Sequence, residues 1–129
     1  MKLAAIGLSG QADPWVALGF EPDGDGRLGL ANGALEFGHE TAGLVVDPAG
    51  GVVEPADAID GVAVSIGTAV AGEPHPNGAM ELDHLVLMTD SIERTSDAIE
   101  VGLGLEQRRI RETPDVRQGF HRFADQGLT

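Results

Sequence analysis

The clearest pattern of apolar and polar positions runs from Leu82 to Phe123. Leu82-Asp83-His84-Leu85-Val86-Leu87-Met88-Thr89 is a mostly apolar run of strand length. Asp90 follows as an N-cap, and Glu93 three residues later completes a box-like start signal. Ile92, Ala98, Ile99 and Leu103 then place an apolar stripe along one helix face, which Gly102 and Gly104 bring to a left-handed stop. Leu105 to Glu112 reads as a strand, Pro114-Asp115 as a turn, and Arg117 to Phe123 as a further strand. The predicted order is β-α-β-β.

The first half repeats that order. Lys2 to Ser9 is a strand of small and apolar residues. Asp13-Pro14 starts a short helix whose apolar face is Trp15, Val16 and Leu18, ended by Gly19. Asp23-Gly24-Asp25-Gly26 is a turn. Arg27 to Ala31 and Ala34 to Phe37 are strands joined at Asn32-Gly33, a strong hairpin signal. Gly43 to Val46 adds a fourth strand before Asp47-Pro48. Leu3 to Leu8 aligns with Leu82 to Leu87, and Leu18-Gly19-Phe20 with Leu103-Gly104-Leu105, so the chain reads as a duplicated unit. Residues 1–48 form the first unit and 81–129 the second. The glycine- and proline-rich connector, 49–80, holds an extra strand at Val62 to Val70 and a turn at Pro76-Asn77-Gly78.

Composition narrows the function classes. The chain has 129 residues, a single-domain length, with 42% hydrophobic residues. It has no cysteine, so disulfides, thiol catalysis and cysteine-held zinc are excluded. A net charge of −13 argues against nucleic-acid partners and anionic membrane surfaces. No apolar run approaches transmembrane length, and a cytoplasmic location is the default expectation. No serine sits in a nucleophile-elbow context, and Asp23-Gly24-Asp25-Gly26 carries acids where a phosphate would bind.

Strand alternation selects candidate side chains. His84, Val86 and Met88 share one face of their strand, while Leu85 and Leu87 share the face that packs on the helix. Gln118, Phe120 and Arg122 likewise share a face. Glu36 points away from Leu35 and Phe37, as a pocket carboxylate or a solvent-facing acid. Arg108, Arg109, Arg111, Arg117 and Arg122 gather five of the seven arginines into the last two strands. Such a cluster either binds an anion through forked hydrogen bonds or pairs with the acidic remainder of the chain. Trp15 is expected in the core.

The run Leu82-Asp83-His84-Leu85-Val86-Leu87, the helix through Arg94-Thr95, and Gly102-Leu103-Gly104-Leu105 carry a family resemblance. Arg108-Arg109-Ile110-Arg111-Glu112 and Arg117-Gln118-Gly119-Phe120 add to it. Over Pro74 to Phe123 the chain resembles the vicinal oxygen chelate superfamily of glyoxalases, bleomycin-resistance proteins and extradiol dioxygenases. The resemblance implies an α+β fold of two βαβββ-type units whose curved, mixed or antiparallel sheets enclose a concave cavity. With Leu128-Thr129 only beginning a fourth strand, the second unit is expected to be truncated before its last strand, as in a fragment or a chain completed by another copy. An open edge of that kind implies a homo-oligomer, expected as a dimer.

The resemblance also implies a divalent metal on the concave face, acting as a Lewis acid on vicinal oxygens. His84 falls at a ligand position. Its counterpart in the first unit is Ala5, which cannot bind metal, so a pocket-lining or hydrogen-bonded histidine is the plainer reading. The implied function is metal-assisted lyase, isomerase or dioxygenase-type chemistry on a small oxygenated metabolite. The alternatives are a non-catalytic small-molecule binding protein of the drug-sequestering kind, or an inactive fragment. The expected ligand-binding set is His84, Met88, Gln118, Phe120, Arg122 and Glu36.

Overall fold

In the computed structural model, which describes Met1–Thr129, the strand Lys2–Gly7 (β1) is central to the larger of two sheets. Its small residues let neighbouring strands approach from both sides. A one-turn helix, Asp13–Val16 (α1), precedes the hairpin Leu28–Leu30 (β2) and Gly33–Glu36 (β3). Gly43–Asp47 (β4), Ala58–Ile59 (β5) and Val62–Ile66 (β6) complete this six-stranded mixed sheet, ordered β2-β3-β1-β4-β6-β5. The second sheet contains His84–Leu85 (β7), Arg109–Glu112 (β8), Arg117–Arg122 (β9) and Gly127–Leu128 (β10). Its order is β7-β10-β9-β8, and the helix Ile92–Leu103 (α2) connects β7 to β8. The fold is therefore α+β with two mixed sheets.

Leu128-Thr129, expected only to begin a strand, is already paired on both sides. β10 lies between β7, its parallel partner, and β9, its antiparallel partner. The ladder runs on past β10: Leu87 N–H donates to Thr129 O at 2.7 Å, and Thr129 N–H to Leu85 O at 2.9 Å. β10 is thus an interior strand. One free edge is β8, whose Arg109, Arg111 and Glu112 are exposed charges of the kind that discourage strand addition.

The halves also differ in strand pairing. β1 pairs in parallel with β3 and antiparallel with β4, so it sits inside its sheet, whereas β7 is an edge strand. Alternation along the chain sets which face a residue occupies but not which strand lies beside it. Several local features shift as well. Leu30 pairs with Gly33, so the hairpin corner is Ala31-Asn32 rather than Asn32-Gly33. The freed Asn32 amide grips both backbone groups of Leu82, at 2.8 Å each, tying the first hairpin to the approach of β7. Ser91, not Asp90, caps α2 by accepting from Arg94 N–H, and Gly102 lies inside the helix while Gly104 (φ 67°) is its left-handed cap. The extra strand is a hairpin, β5–β6, turned by Asp60-Gly61 with both residues at positive φ. Trp15 is only half-buried, edge-on to Phe20 with centroids 5.5 Å apart.

One core joins the sheets. Leu3, Leu44, Val46 and Ile59 of the larger sheet meet Ile99 and Leu103 of α2, together with Phe123 and Leu128 of the smaller. Each such side chain contributes roughly 1.5–3 kcal/mol by leaving water. The helix approaches β5 very closely: a Cβ at Gly102 would lie 2.5 Å from Ile59 Cδ1 and 3.1 Å from Ala56 Cβ. Ala56 N–H also donates to Gly102 O at 2.9 Å, holding that distance. Gly102→Ala would gain about 1 kcal/mol of helix propensity. Overpacking against the fully buried Ile59 costs about 1–3 kcal/mol and should prevail. The expected result is a net loss of up to roughly 2 kcal/mol, read as a lower urea midpoint; a midpoint above wild type would show that the two elements can move apart.

Candidate functional site

The smaller sheet has two faces with different chemistry. On one face, β9 places Gly119 and His121 beneath α2: a Cβ at Gly119 would meet Ser96 Oγ and Ile92 Cγ2 at 3.2 and 3.3 Å. By alternation Gln118, Phe120 and Arg122 occupy the other face. Register extends that face across the sheet. Arg122 pairs with Gly127, which pairs with His84; Phe120 pairs with Arg109, and Gln118 with Arg111. Directly paired residues share a face, so four of the six expected ligand-binding residues, His84, Gln118, Phe120 and Arg122, fall on one side, while Met88 lies beyond β7 and lines the cavity on the helix side. Arg109 and Arg111 join them. The surface spans roughly 14 Å, three inter-strand spacings.

The arginines of the chain divide into two groups. Arg94 and Arg117 are bound to carboxylates. Arg94 Nε lies 2.7 Å from Asp60 Oδ1 and its Nη2 2.6 Å from Asp90; Arg117 reaches Glu93 at 2.8 Å and Glu112 at 2.5 Å. Arg27 lies beside Glu36 at 3.1 Å, though without hydrogen-bond alignment. Arg108, Arg109, Arg111 and Arg122 have no carboxylate partner, and all are exposed. Arg109 stacks on Phe120, its guanidinium carbon 4.5 Å from the ring centroid. The sequence left anion binding and internal pairing as alternatives for this cluster; Arg117 takes the second, while three of the other four share the open face.

Glu36 stands apart. It belongs to the larger sheet, where it faces Arg27 and His39 Nε2, the latter at 3.3 Å, beside a shallow groove that includes Gln11 and Asp25. The divalent metal implied by the resemblance is not supported by the donor set. No three of His, Asp and Glu converge anywhere in the chain. His84 Nδ1 is engaged by its neighbour Asp83 Oδ2 at 2.7 Å, with both side chains largely in solvent.

On the helix side of the same sheet lies a cavity of about 140 Å³ between the first turns of α2, the segment Val86–Thr89 and the start of β9. Met88 and Gln118 line it too, but its main polar feature is a relay absent from the expected set. His121 is buried, and its Nδ1–H donates to Leu105 O at 2.7 Å. In the neutral ring that leaves Nε2 to accept from Ser96 Oγ at 3.1 Å, while Gln107 Nε2 donates to the same hydroxyl at 2.8 Å. The signal for His121 was present in alternation, which puts it opposite Phe120 and Arg122. Its partners, 16 and 25 residues away, were not. His75 is a second buried clasp: it accepts from Glu21 N–H at 2.9 Å and donates to Gly29 O at 2.8 Å.

Comparisons of the chain with protein-family models, with curated proteins and with solved structures each returned no match.

The relay predicts a stability effect. Ser96→Ala leaves His121 Nε2 and the Gln107 amide without a buried partner, at an expected cost of about 1–3 kcal/mol in urea denaturation. An unchanged midpoint would mean that water replaces the hydroxyl without loss. The Asp60–Arg94 clamp predicts a pH effect. The Arg94 guanidinium, by hydrogen bonding, holds the Asp60 and Asp90 carboxyls below the usual carboxylate range. A lowered folded-state value means the unfolded chain binds more protons. The associated stability is therefore full above the ordinary carboxylate range and is lost as pH falls through the lowered values. Asp60→Asn keeps a residue tolerant of positive φ and removes one of these carboxylates. A pH series of urea midpoints should show a shallower acid limb for this variant than for wild type.

Proposed function

We propose that this chain is a glyoxalase-like small-molecule binding protein of the vicinal oxygen chelate type, whose open sheet face holds a small oxygenated metabolite carrying a carboxylate. The observation that carries the reading is the set of unpaired arginines, Arg109, Arg111 and Arg122, on one exposed face of a protein whose net charge is −13. Packing alone gives no reason for such charges to stay unpaired among so many acids. Forked recognition of an anion explains it directly. Phe120, with the Arg109 guanidinium 4.5 Å from its ring centroid, supplies an apolar platform, and His84 a hydrogen-bonding group, at the other side of the same face. The run β7-α2-β8-β9-β10 supports the βαβββ reading of the second half; β1 to β4 supports it by element order alone. The same reading includes a dimer that closes two such faces over the ligand.

Binding is favoured over metal-assisted lyase or dioxygenase chemistry because His84 has no converging ligand partners. The test is thermal stabilisation by benzoate, salicylate, pyruvate and lactate, each with and without manganese or nickel ions. A ligand that prefers the folded state raises Tm. The double variant Arg109→Ala with Arg122→Ala should weaken binding of the best carboxylate by roughly 10- to 100-fold, the loss of one or two charge-assisted hydrogen bonds. Equal stabilisation of the variant and wild type would remove the arginine face from consideration. Binding that requires the metal ion would restore the metalloenzyme reading.

A further inference from the structure

The cavity on the helix side of the smaller sheet has its own recognition chemistry, independent of the arginine face. Its apolar walls come from Leu87, Ile92 and Ile99, and its mouth from Val86, Met88 and Val116. The mouth residues are conspicuously uncovered: Val86 is 48%, Val116 50% and Met88 92% exposed. The buried polar side chains that line it are already committed. Ser96 and His121 bond each other and, beyond that, Gln107 and Leu105 O. Thr95 Oγ1 bonds Asp60 and Thr89. Arg117, at the rim, is held by Glu93 and Glu112. Gln118, half-buried, is a lining side chain left unbonded; an ion seated deeper, between Ile92 and Ile99, would lose hydration with no unengaged buried donor to replace it, which is unfavourable. An apolar molecule would lose nothing. A closed cavity of about 150 Å³ with apolar walls takes up a benzene-sized guest; this one has a similar volume but is open at its mouth and has polar as well as apolar side chains in its lining. A thioether at the entrance adds favourable contact with a ring edge.

We infer that this cavity is a binding site for a small uncharged aromatic molecule, admitted past Met88 and seated between Ile92, Ile99 and the floor formed by Gly119 and His121. Gly119 keeps the floor low; a side chain there would strike Gln107 and Ser96. The site lies on the opposite side of β9 from the arginine face and needs neither a metal nor an anion.

Toluene is the probe. At free concentrations about tenfold above Kd it should raise the Tm of the full chain by roughly 4 °C. The methyl resonances that move should be those of Leu87, Ile92, Ile99 and Val116. Val116→Trp, at a half-exposed position, should block the entrance and abolish both effects while leaving the far-ultraviolet spectrum unchanged. Should that variant fail to fold, Met88→Arg replaces a solvent-exposed side chain and sets a charge in the entrance, with an expected tenfold or greater loss of toluene affinity. Benzoate, the same ring with a charge, should leave these methyl groups unmoved even where it binds the arginine face. Methyl shifts spread over the surface, toluene stabilisation that survives in the folded mouth variants, or benzoate moving the same methyl groups as strongly as toluene would each overturn the assignment.

Discussion

The structure depends on how closely α2 can approach both sheets at once. Two glycines set that approach. Gly102, on the helix, removes the side chain that would strike Ile59 and Ala56 of the larger sheet; Gly119, on β9, removes the one that would strike Ser96, Gln107 and Ile92. With both distances short, Ile99 and Leu103 reach Leu3, Val46, Phe123 and Leu128 in a single core. Interiors are packed too densely for such a contact to loosen gradually. The helix is therefore fixed between β5 and β9. Everything placed relative to it, including the cavity at its first turns, inherits that position.

Charge then does what apolar contact cannot, which is to orient. The clamps on α2 are ionic and sit at its N-terminal turn: Asp60 on Arg94 from the β5–β6 hairpin, and Arg117 of β9 on Glu93. Each surface pair contributes little stability in water. Their use is geometric, since two arginine forks fix the rotation of the helix about its axis. Asp60 can serve because Asp60-Gly61 turns in the left-handed region, projecting the carboxylate toward α2 rather than along the strand. These structural pairs employ Arg94 and Arg117. Arg108, Arg109, Arg111 and Arg122, which have no carboxylate partner, lie on β8, on β9 or immediately before β8.

The legible parts of the sequence were those governed by short-range periodicity. The stripe Ile92, Ala98, Ile99 and Leu103 located α2, and period-two alternation sorted β9 into Gln118, Phe120, Arg122 and the opposite set. That alternation also gave most of the open-face residues. What could not be read was set by distance along the chain. β1 takes β4 as a neighbour, and β10 inserts between β7 and β9, through registers that no local pattern encodes. Leu128-Thr129 is too short to read as a strand by length, although two residues suffice when a ladder on both sides holds them. The Asp60-Gly61 turn is a hairpin signal that its glycine-rich surroundings obscure. The shift of the first hairpin corner to Ala31-Asn32 was not readable, because the Asn32 amide is drawn to Leu82, 50 residues away. His121 and Ser96 were hidden for the same reason: a buried relay is a property of packing, and each member alone is an ordinary polar residue.

The two faces of β9 carry an implication about specificity. Phe120 and Arg122 lie on an open surface carrying arginines, and the residues on the opposite side, Gly119 and His121, line a partly apolar cavity open at its mouth, which Gln118 also borders. A slip of one residue in the pairing of β9 with β8 or β10 would exchange the sets, placing a guanidinium beneath α2 and an imidazole in solvent. An unpaired buried charge is far more unfavourable than any repacking around it could be favourable. So the side chains on the two faces favour this register, alongside the backbone pairing. His121 is the residue that makes this preference positive as well as negative. Only in the observed register can it meet the Leu105 carbonyl and the Ser96 hydroxyl together. A single strand can thus separate a surface carrying arginines from a partly apolar cavity a few ångströms away, because the side chains on each face also disfavour the register in which the two sets would exchange.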